Sequence, residues 1–297
     1  MWFLIMILII VILYLLLNRC VEGFEGDTTQ KDKKALICYY GGSFREGNIG
    51  STKSDTPYGY ESQKNASITH EKLKNVLQER GYQTDILINT RETKYSNQLE
   101  RWYEPFNMIM NEISDKVHAK DKMIQSTIKN INKLKKQQYD FILFVRIDLF
   151  LKPDFFEVLD TETDKISFLA NNYNPRNCNA NDIVDLFVLV PKKYFYILDS
   201  KFDLNHWSWN YYKKTYHLKD KDMAFMTNKM FDSNSAIDQN PYYVMASRKE
   251  NTVLHTDLTS DTKNKVKKCP KYLEHKQTYI DNPSQYYLDK YAEFYLK

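Results

Sequence analysis

Cysteine is scarce, with four residues in 297 and no Cys-x-x-Cys pair. A disulfide-built scaffold is thereby excluded, and a structural zinc site is disfavoured. Cys38 falls in an apolar strand pattern and reads as a buried thiol. Cys178 and Cys269 lie in polar, loop-like stretches and remain open to pairing. The six histidines show no metal-ligand spacing. Charge of one sign is also lacking: the formal net charge is +4, and no basic-aromatic RNA-binding module occurs. Nucleic acid is therefore not an expected partner. Lys53-Ser54 follows a glycine-containing loop, but Thr52 stands where a P-loop requires glycine, which removes an ATPase from consideration. No kinase signature, nucleophile elbow or internal repeat is found.

What is present is ordinary in bulk. Hydrophobic residues make up 42% and charged residues 27%, and the length suffices for one large or two modest domains. The 23 tyrosines and 16 phenylalanines suit a protein that stacks on sugars or bases, although the base composition of a gene produces the same bias. The one long apolar run is Met1 to Leu17, free of charged side chains. As a helix it spans about 25 Å, close to the core of a thin bilayer. No charged n-region precedes it and no good cleavage site follows, so an uncleaved anchor over 1–18 is expected, with a polar tether over 19–34. Flanking charges do not fix the orientation. Asn65-Ala66-Ser67 is a glycosylation sequon and points to a lumenal or external body, that of a glycoprotein.

The rest, 35–297, reads as one α/β domain with strands and helices in alternation. Ala35 to Tyr40 is a strand ending in Gly41-Gly42-Ser43-Phe44-Arg45, where glycines permit a tight turn near a ligand. Asn65 to Arg80 has helical spacing and stops at Gly81. Thr84 to Thr90 is a second strand, completing a βαβ unit. Tyr95 to Tyr103 reads as helix, Phe106 to Ile113 as a short strand, and Lys116 to Gln138 as a long amphipathic helix. Then comes the most telling stretch, Tyr139 to Pro153. Its apolar run Phe141 to Val145 suits a strand buried on both faces, as in a parallel sheet. Arg146 and Asp148 break that pattern where the strand ends, on one side of an extended chain. There, ligands bind in open α/β sheets, although a structural ion pair closing the strand fits the spacing equally. Further on, Asp154 to Leu159 is a short helix, Lys165 to Ala170 a strand, and Asn171 to Asn181 a polar loop. Asp182 to Val190 leads into another strand ended by Pro191, and Lys192 to Asp199 begins a helix. Asp220 to Met230 reads as helix and Tyr242 to Ser247 as a late strand.

Four of these segments, in order, resemble a family of glycosyltransferases with the GT-A type nucleotide-diphospho-sugar-binding fold. They are Ala35–Arg45, an apolar strand followed by glycine and arginine; Asp85–Thr90, like the family's Asp-x-Phe-Ile-His-Thr strand, followed by Tyr103-Glu104-Pro105; Tyr139–Leu149, like its Tyr-Asp, apolar, Arg-x-Arg-x-Asp-Leu motif; and Asn181–Leu189, like its strand with an acidic lead-in. The Lys-, Asn- and Tyr-rich composition also resembles proteins of large DNA viruses. The resemblance spans about 35–247. It implies a GT-A-like, Rossmann-type mixed and mostly parallel sheet flanked by helices, with a sugar transferred from a nucleotide diphosphate to a glycan or protein acceptor. Departing diphosphate needs a cation, and the acceptor hydroxyl benefits from a carboxylate base. Gly41, Gly42, Arg45 and Arg146 are the expected donor contacts, with an arginine fork suiting phosphate oxygens. Asp148 is the expected ligand for a divalent cation (Mn²⁺ or Mg²⁺) or for the donor sugar. Asp182, Asp185 and Asp222 compete to orient or deprotonate the acceptor, although each taken singly reads more simply as a helix cap or surface acid. Trp207, Trp209, Tyr211 and Tyr212 suit a sugar platform or a core.

The departures are specific. Only one of the family's two arginines is kept, with Val145 and Arg146 at those positions, and Asn89 replaces the usual histidine. Asp148 stands alone where a strict Asp-x-Asp would lie, and Asp220-Lys221-Asp222 matches that motif only in a helical context. A catalytically inactive glycan-binding or scaffold protein with the same fold is the alternative these departures favour.

Overall fold

The residues described in the computed structural model are 33–44, 59–91, 93–104, 107–113, 120–174, 179–183, 186–199, 215–227, 241–245, 250–251, 279–280 and 282–296. The chain divides into two units, Met1–Lys33 and Lys34–Lys297. The expected anchor over 1–18 lies outside the described residues, among which no helix is long and apolar enough to cross a membrane.

The first strand, β1 (Lys33–Gly41), starts two residues earlier than expected, at Lys33 rather than Ala35. It is followed by α1 (Gly59–Glu79), β2 (Tyr82–Arg91), α2 (Ser96–Tyr103), β3 (Asn107–Ile113) and α3 (Lys120–Lys133). Gly81 closes α1 with φ of +83°, a conformation that favours glycine. The predicted central strand is β4 (Phe141–Arg146), and β5 (Leu149–Leu151) follows after a two-residue turn. Then come α4 (Pro153–Val158), β6 (Ile166–Phe168), β7 (Asn171–Asn174), β8 (Asn179–Ile183), β9 (Phe187–Pro191), β10 (Met223–Phe225) and β11 (Tyr243–Met245). Two short helices, α5 (Pro283–Lys290) and α6 (Ala292–Tyr295), end the described chain.

Seven strands form the main sheet in the order β10-β6-β9-β4-β1-β2-β3. β4 runs parallel to β1, β3 parallel to β2, and β10 parallel to β6. β9 alone is antiparallel to its neighbours, pairing Phe144 with Val188 and Ser167 with Leu189. The sheet is thus mixed and mostly parallel, and β4 has one parallel and one antiparallel partner rather than two parallel ones. Side chains alternate between two cores, as strand geometry requires. Ala35, Ile37 and Tyr39 face α1, α2, α4 and the terminal helices. Leu36, Cys38 and Tyr40 face α3 (Ile128, Ile131) and the turn Lys192–Leu198. Cys38 is a buried free thiol, as its strand position implied.

Three expectations are corrected. Asn171–Asn181 is not loop throughout: β7 and β8 pair as an antiparallel ribbon, a pairing invisible in a sequence without apolar alternation. Asp220–Met230 does not start as an α-helix. Asp220–Asp222 makes a single 3₁₀ turn, and Met223–Phe225 joins the sheet edge, where tertiary pairing overrides local preference. Lys192–Leu198 is likewise 3₁₀ rather than α-helical. The late strand is present, but β11 pairs with β5 outside the main sheet.

Candidate functional site

The strand order dictates where a ligand fits. From β1 the chain moves outward to β2 and β3, with α1 and α2 on one face. It then returns by α3 on the other face to β4, on the opposite side of β1. The boundary between β1 and β4 is therefore a topological switch point, and crevices at the carboxyl ends of such strands bind ligands. Those ends carry Gly41–Phe44 and Arg146–Asp148.

The turn after β1 is held in an unusual shape. Gly41 has φ of +115°, open to glycine but strained for other residues. A Cβ on Gly41 would meet Ile147 at an ordinary 4.0 Å, so the backbone conformation and not the space demands glycine. Gly42 has nothing within 4 Å of such a Cβ. Phe44, with a side chain, nevertheless takes φ of +54°. Strain of this kind costs about 1–3 kcal/mol and clusters at functional sites. Its surroundings fix it: the backbone N–H of Phe44 donates to Gln63 Oε1 (3.3 Å), and that of Ser43 to Thr90 Oγ1 (3.1 Å). The Phe44 ring packs on Tyr95 and Trp102, with centroids 5.2 and 5.6 Å away, and Tyr60 bridges the same group.

The turn after β4 is anchored to the same helix. Gln63 Nε2 donates to the Ile147 carbonyl (2.8 Å), so one amide from α1 joins both turns. Ile147 N–H donates to Tyr40 O (2.9 Å), and Leu151 N–H to Thr69 Oγ1 (3.2 Å). Between them, Arg146 Nε and Nη2 donate to the two carboxylate oxygens of Asp148 at 2.9 and 2.7 Å. The Asp148 side chain is fully buried while that of Arg146 stays 16% exposed. His70 completes the inner face of α1. Its ring stacks on Tyr39 (4.2 Å), Nδ1 pairs with the Tyr103 hydroxyl, and Nε2 is buried near the Leu149 backbone. Burial drives the imidazole down to about 3, against the opposite pull of the Leu149 backbone and the Asp148 carboxylate. The ring is therefore neutral at physiological pH.

The expected site residues divide sharply. Gly41, Gly42, Arg146 and Asp148 share the carboxyl rim. Arg45 and Asp185 lie outside the described residues, as do Cys178, Cys269, Trp207, Trp209, Tyr211 and Tyr212. Asp182 is on β8, whose ribbon leaves β6 and re-enters β9 at this rim, since Phe187 pairs with Val145. Asp222 is misplaced: it precedes β10, which runs parallel to β6 and antiparallel to β9, and so sits at the amino rim. There it accepts from the Lys219 backbone N–H (2.8 Å) and the Tyr194 hydroxyl (2.9 Å), a turn cap that holds its carboxyl below the usual value. The sequon fails as well. Asn65 lies within α1, 3% exposed, and its Nδ2 donates to Gln285 Oε1 (3.0 Å). Gln63 was missed; its one sequence signal was a polar residue that proves to lie on the inward stripe of α1 with Ala66, His70, Leu73 and Leu77. Asn89, at the family's histidine position, is buried and donates to Thr127 Oγ1 (2.6 Å), joining β2 to α3.

A divalent cation does not fit Asp148 as placed. Both carboxylate oxygens accept from a guanidinium, and a hydrated Mg²⁺ or Mn²⁺ requires space and further oxygen donors. Among the described residues, no group of three His, Cys, Asp or Glu side chains could hold a metal ion.

No family model matches the sequence, and no curated protein matches it significantly. Solved structures do resemble the chain. One is a glycosyltransferase involved in glycosylation of the major capsid of PBCV-1, at 9% identity and TM-score 0.37, covering 78% of this chain and 97% of that one. Another is the inositol-1-phosphate CTP transferase from T. maritima, at 13% identity and TM-score 0.38, covering 82% and 98%. A third is the catalytic domain of Drosophila β1,4-galactosyltransferase 7 in complex with xylobiose, at 13% identity and TM-score 0.36, covering 84% and 83%.

Proposed function

We propose that this chain is a glycosyltransferase that takes its sugar from a nucleotide diphosphate and delivers it to a glycan or protein acceptor. The observation that carries this reading is the convergence, at the switch point between β1 and β4, of the strained turn after β1 and the Arg146–Asp148 turn after β4, both bonded to one buried amide, Gln63, through the Phe44 N–H and the Ile147 carbonyl. In the reaction, the bond from the anomeric carbon to the diphosphate oxygen breaks and a bond to the acceptor oxygen forms. The acceptor proton passes to a carboxylate, for which Asp182 and Asp185 are the candidates left once Asp222 is assigned to the amino rim. The diphosphate leaves as an anion, and the Arg146 guanidinium is the donor that would meet it, with Gly41, Gly42 and Arg45 as the further contacts expected from the sequence. The apolar run Met1 to Leu17 supports a single-pass membrane anchor for this enzyme, and the composition suits a large DNA virus.

Full-length protein in detergent, screened against a panel of nucleotide sugars, should hydrolyse or transfer from at least one, and Arg146→Ala should abolish that turnover. Turnover unchanged in Arg146→Ala would refute the site. The second reading, a catalytically silent glycan-binding protein, draws on the engagement of Asp148 by Arg146. It predicts glycan binding with no turnover of any donor.

A further inference from the structure

We infer that no metal ion sits at Asp148, and that the donor diphosphate is held instead by the Arg146 guanidinium, which this buried carboxylate locks in place. This rests on the glycosyl-transfer reading above. The geometry is a fork: Nε and Nη2 of one edge of Arg146 meet both oxygens of Asp148 at 2.9 and 2.7 Å, the bidentate arrangement of a strong charge-assisted pair. Asp148 is sealed and Arg146 is the member that reaches solvent, at 0% and 16% exposure. A dication at Asp148 would have to displace the guanidinium and bring its own waters into a site that water does not reach. Arginine, in contrast, is permanently charged, and its planar donors match phosphate oxygens.

Asp148 is then a positioning residue: it removes rotamer freedom from Arg146, which otherwise must be ordered at the moment of binding. Its own position is fixed from α1, through Gln63 on Ile147 and Thr69 on Leu151, so the carboxylate is held on both sides of the turn. The turn after β1 is tied to the same amide through the Phe44 N–H.

The test is calorimetric titration of full-length protein in detergent with UDP, GDP and CDP, each in EDTA and in excess Mn²⁺. The expected result is binding of at least one nucleotide with affinities in the two conditions within about twofold, well under the 1.4 kcal/mol of a tenfold change. Asp148→Asn and Arg146→Lys should each weaken that nucleotide about tenfold or more in EDTA, since a single ammonium cannot fork. Near-ultraviolet circular dichroism would show whether the variants keep their packing. Binding that needs Mn²⁺ would overturn this inference alone and transfer the cation to acids of segment 182–185. Wild-type affinity in folded Asp148→Asn would overturn the positioning role. Absence of any nucleotide binding in either condition would overturn the proposed function, and this inference with it.

Discussion

The two rims of the sheet handle polar groups in opposite ways. At the amino rim, Asp140 accepts from the Lys34 backbone N–H (2.8 Å), Tyr139 donates to Asp85 (2.8 Å), and Asp222 caps its own turn. These carboxylates are half-buried, remain in touch with water, and serve strand ends close to them. At the carboxyl rim, Ser43, Gln63, Thr90 and Asp148 are buried, at 4%, 1%, 0% and 0% exposure. Ser43, Thr90 and Gln63 join parts of the chain that would otherwise be separate (β1 to β2, β1 to α1, α1 to the turn after β4), and Asp148 closes that last turn onto Arg146. Burying a polar group is costly unless its bonds are complete, so a rim crossed by such bonds has its backbone fixed more tightly than stability alone demands. The same helix makes the contrast within 21 residues. The end of α1 carrying Gln63, Thr69 and His70 meets the carboxyl rim, and the end carrying Leu73 and Leu77 packs as plain core.

Breaking the carboxyl rim should therefore cost more than breaking the amino rim. The largest effect is expected from Arg146→Ala, which strands a fully buried carboxylate and should lower unfolding free energy by about 3–5 kcal/mol in urea titrations. Gln63→Leu leaves the Phe44 N–H and the Ile147 carbonyl unpaired together, at about 1–3 kcal/mol for each group. It should also raise the KM for donor sugar more than it lowers kcat, because it loosens the turns that hold the ground state. His70 gives a pH signature. Its folded value, about 3, lies below its ordinary 6.5, so stability is complete above the ordinary value and declines as pH falls from there toward 3. Between pH 7 and pH 5 that amounts to about 2 kcal/mol, and His70→Gln should flatten the profile. Thr90→Val removes the acceptor of the Ser43 N–H and the donor to Ser43 Oγ, and should cost about 1–2 kcal/mol. At the amino rim, Asp222→Asn should leave nucleotide affinity unchanged and affect stability only slightly, the loss appearing where the carboxylate is normally charged, above its lowered value.

Much of this contrast was legible in the sequence, because apolar runs announce themselves. Phe141–Val145 and Ala35–Tyr40 are continuous and buried on both faces, and they define the centre of the sheet with its carboxyl ends. The break at Arg146 and Asp148 marked that end correctly. What spacing left undecided was whether the two side chains meet each other or a ligand; the structure shows that they meet. Asp222 misled because Asp-Lys-Asp is a motif of side chains alone, whereas its rim depends on the direction of β10, set by pairing with β6. The three apolar residues Met223–Phe225 are too few to reveal a strand. Gln63 was illegible for a different reason: its role comes from two backbone groups that are 103 residues apart, Phe44 and Ile147, and no local pattern records their meeting. The Asn65 sequon shows the converse, a legible motif whose side chain is buried against α5.

Hydrogen exchange of full-length protein with and without the nucleotide that binds most tightly compares the rims in one experiment. Slower exchange in peptides covering Gly41–Phe44 and Arg146–Leu151, with no change at Lys33–Leu36 or Asp220–Met223, is the predicted result. Protection confined to the amino rim, or none at Arg146–Leu151 despite saturation, would contradict the assignment of the donor site.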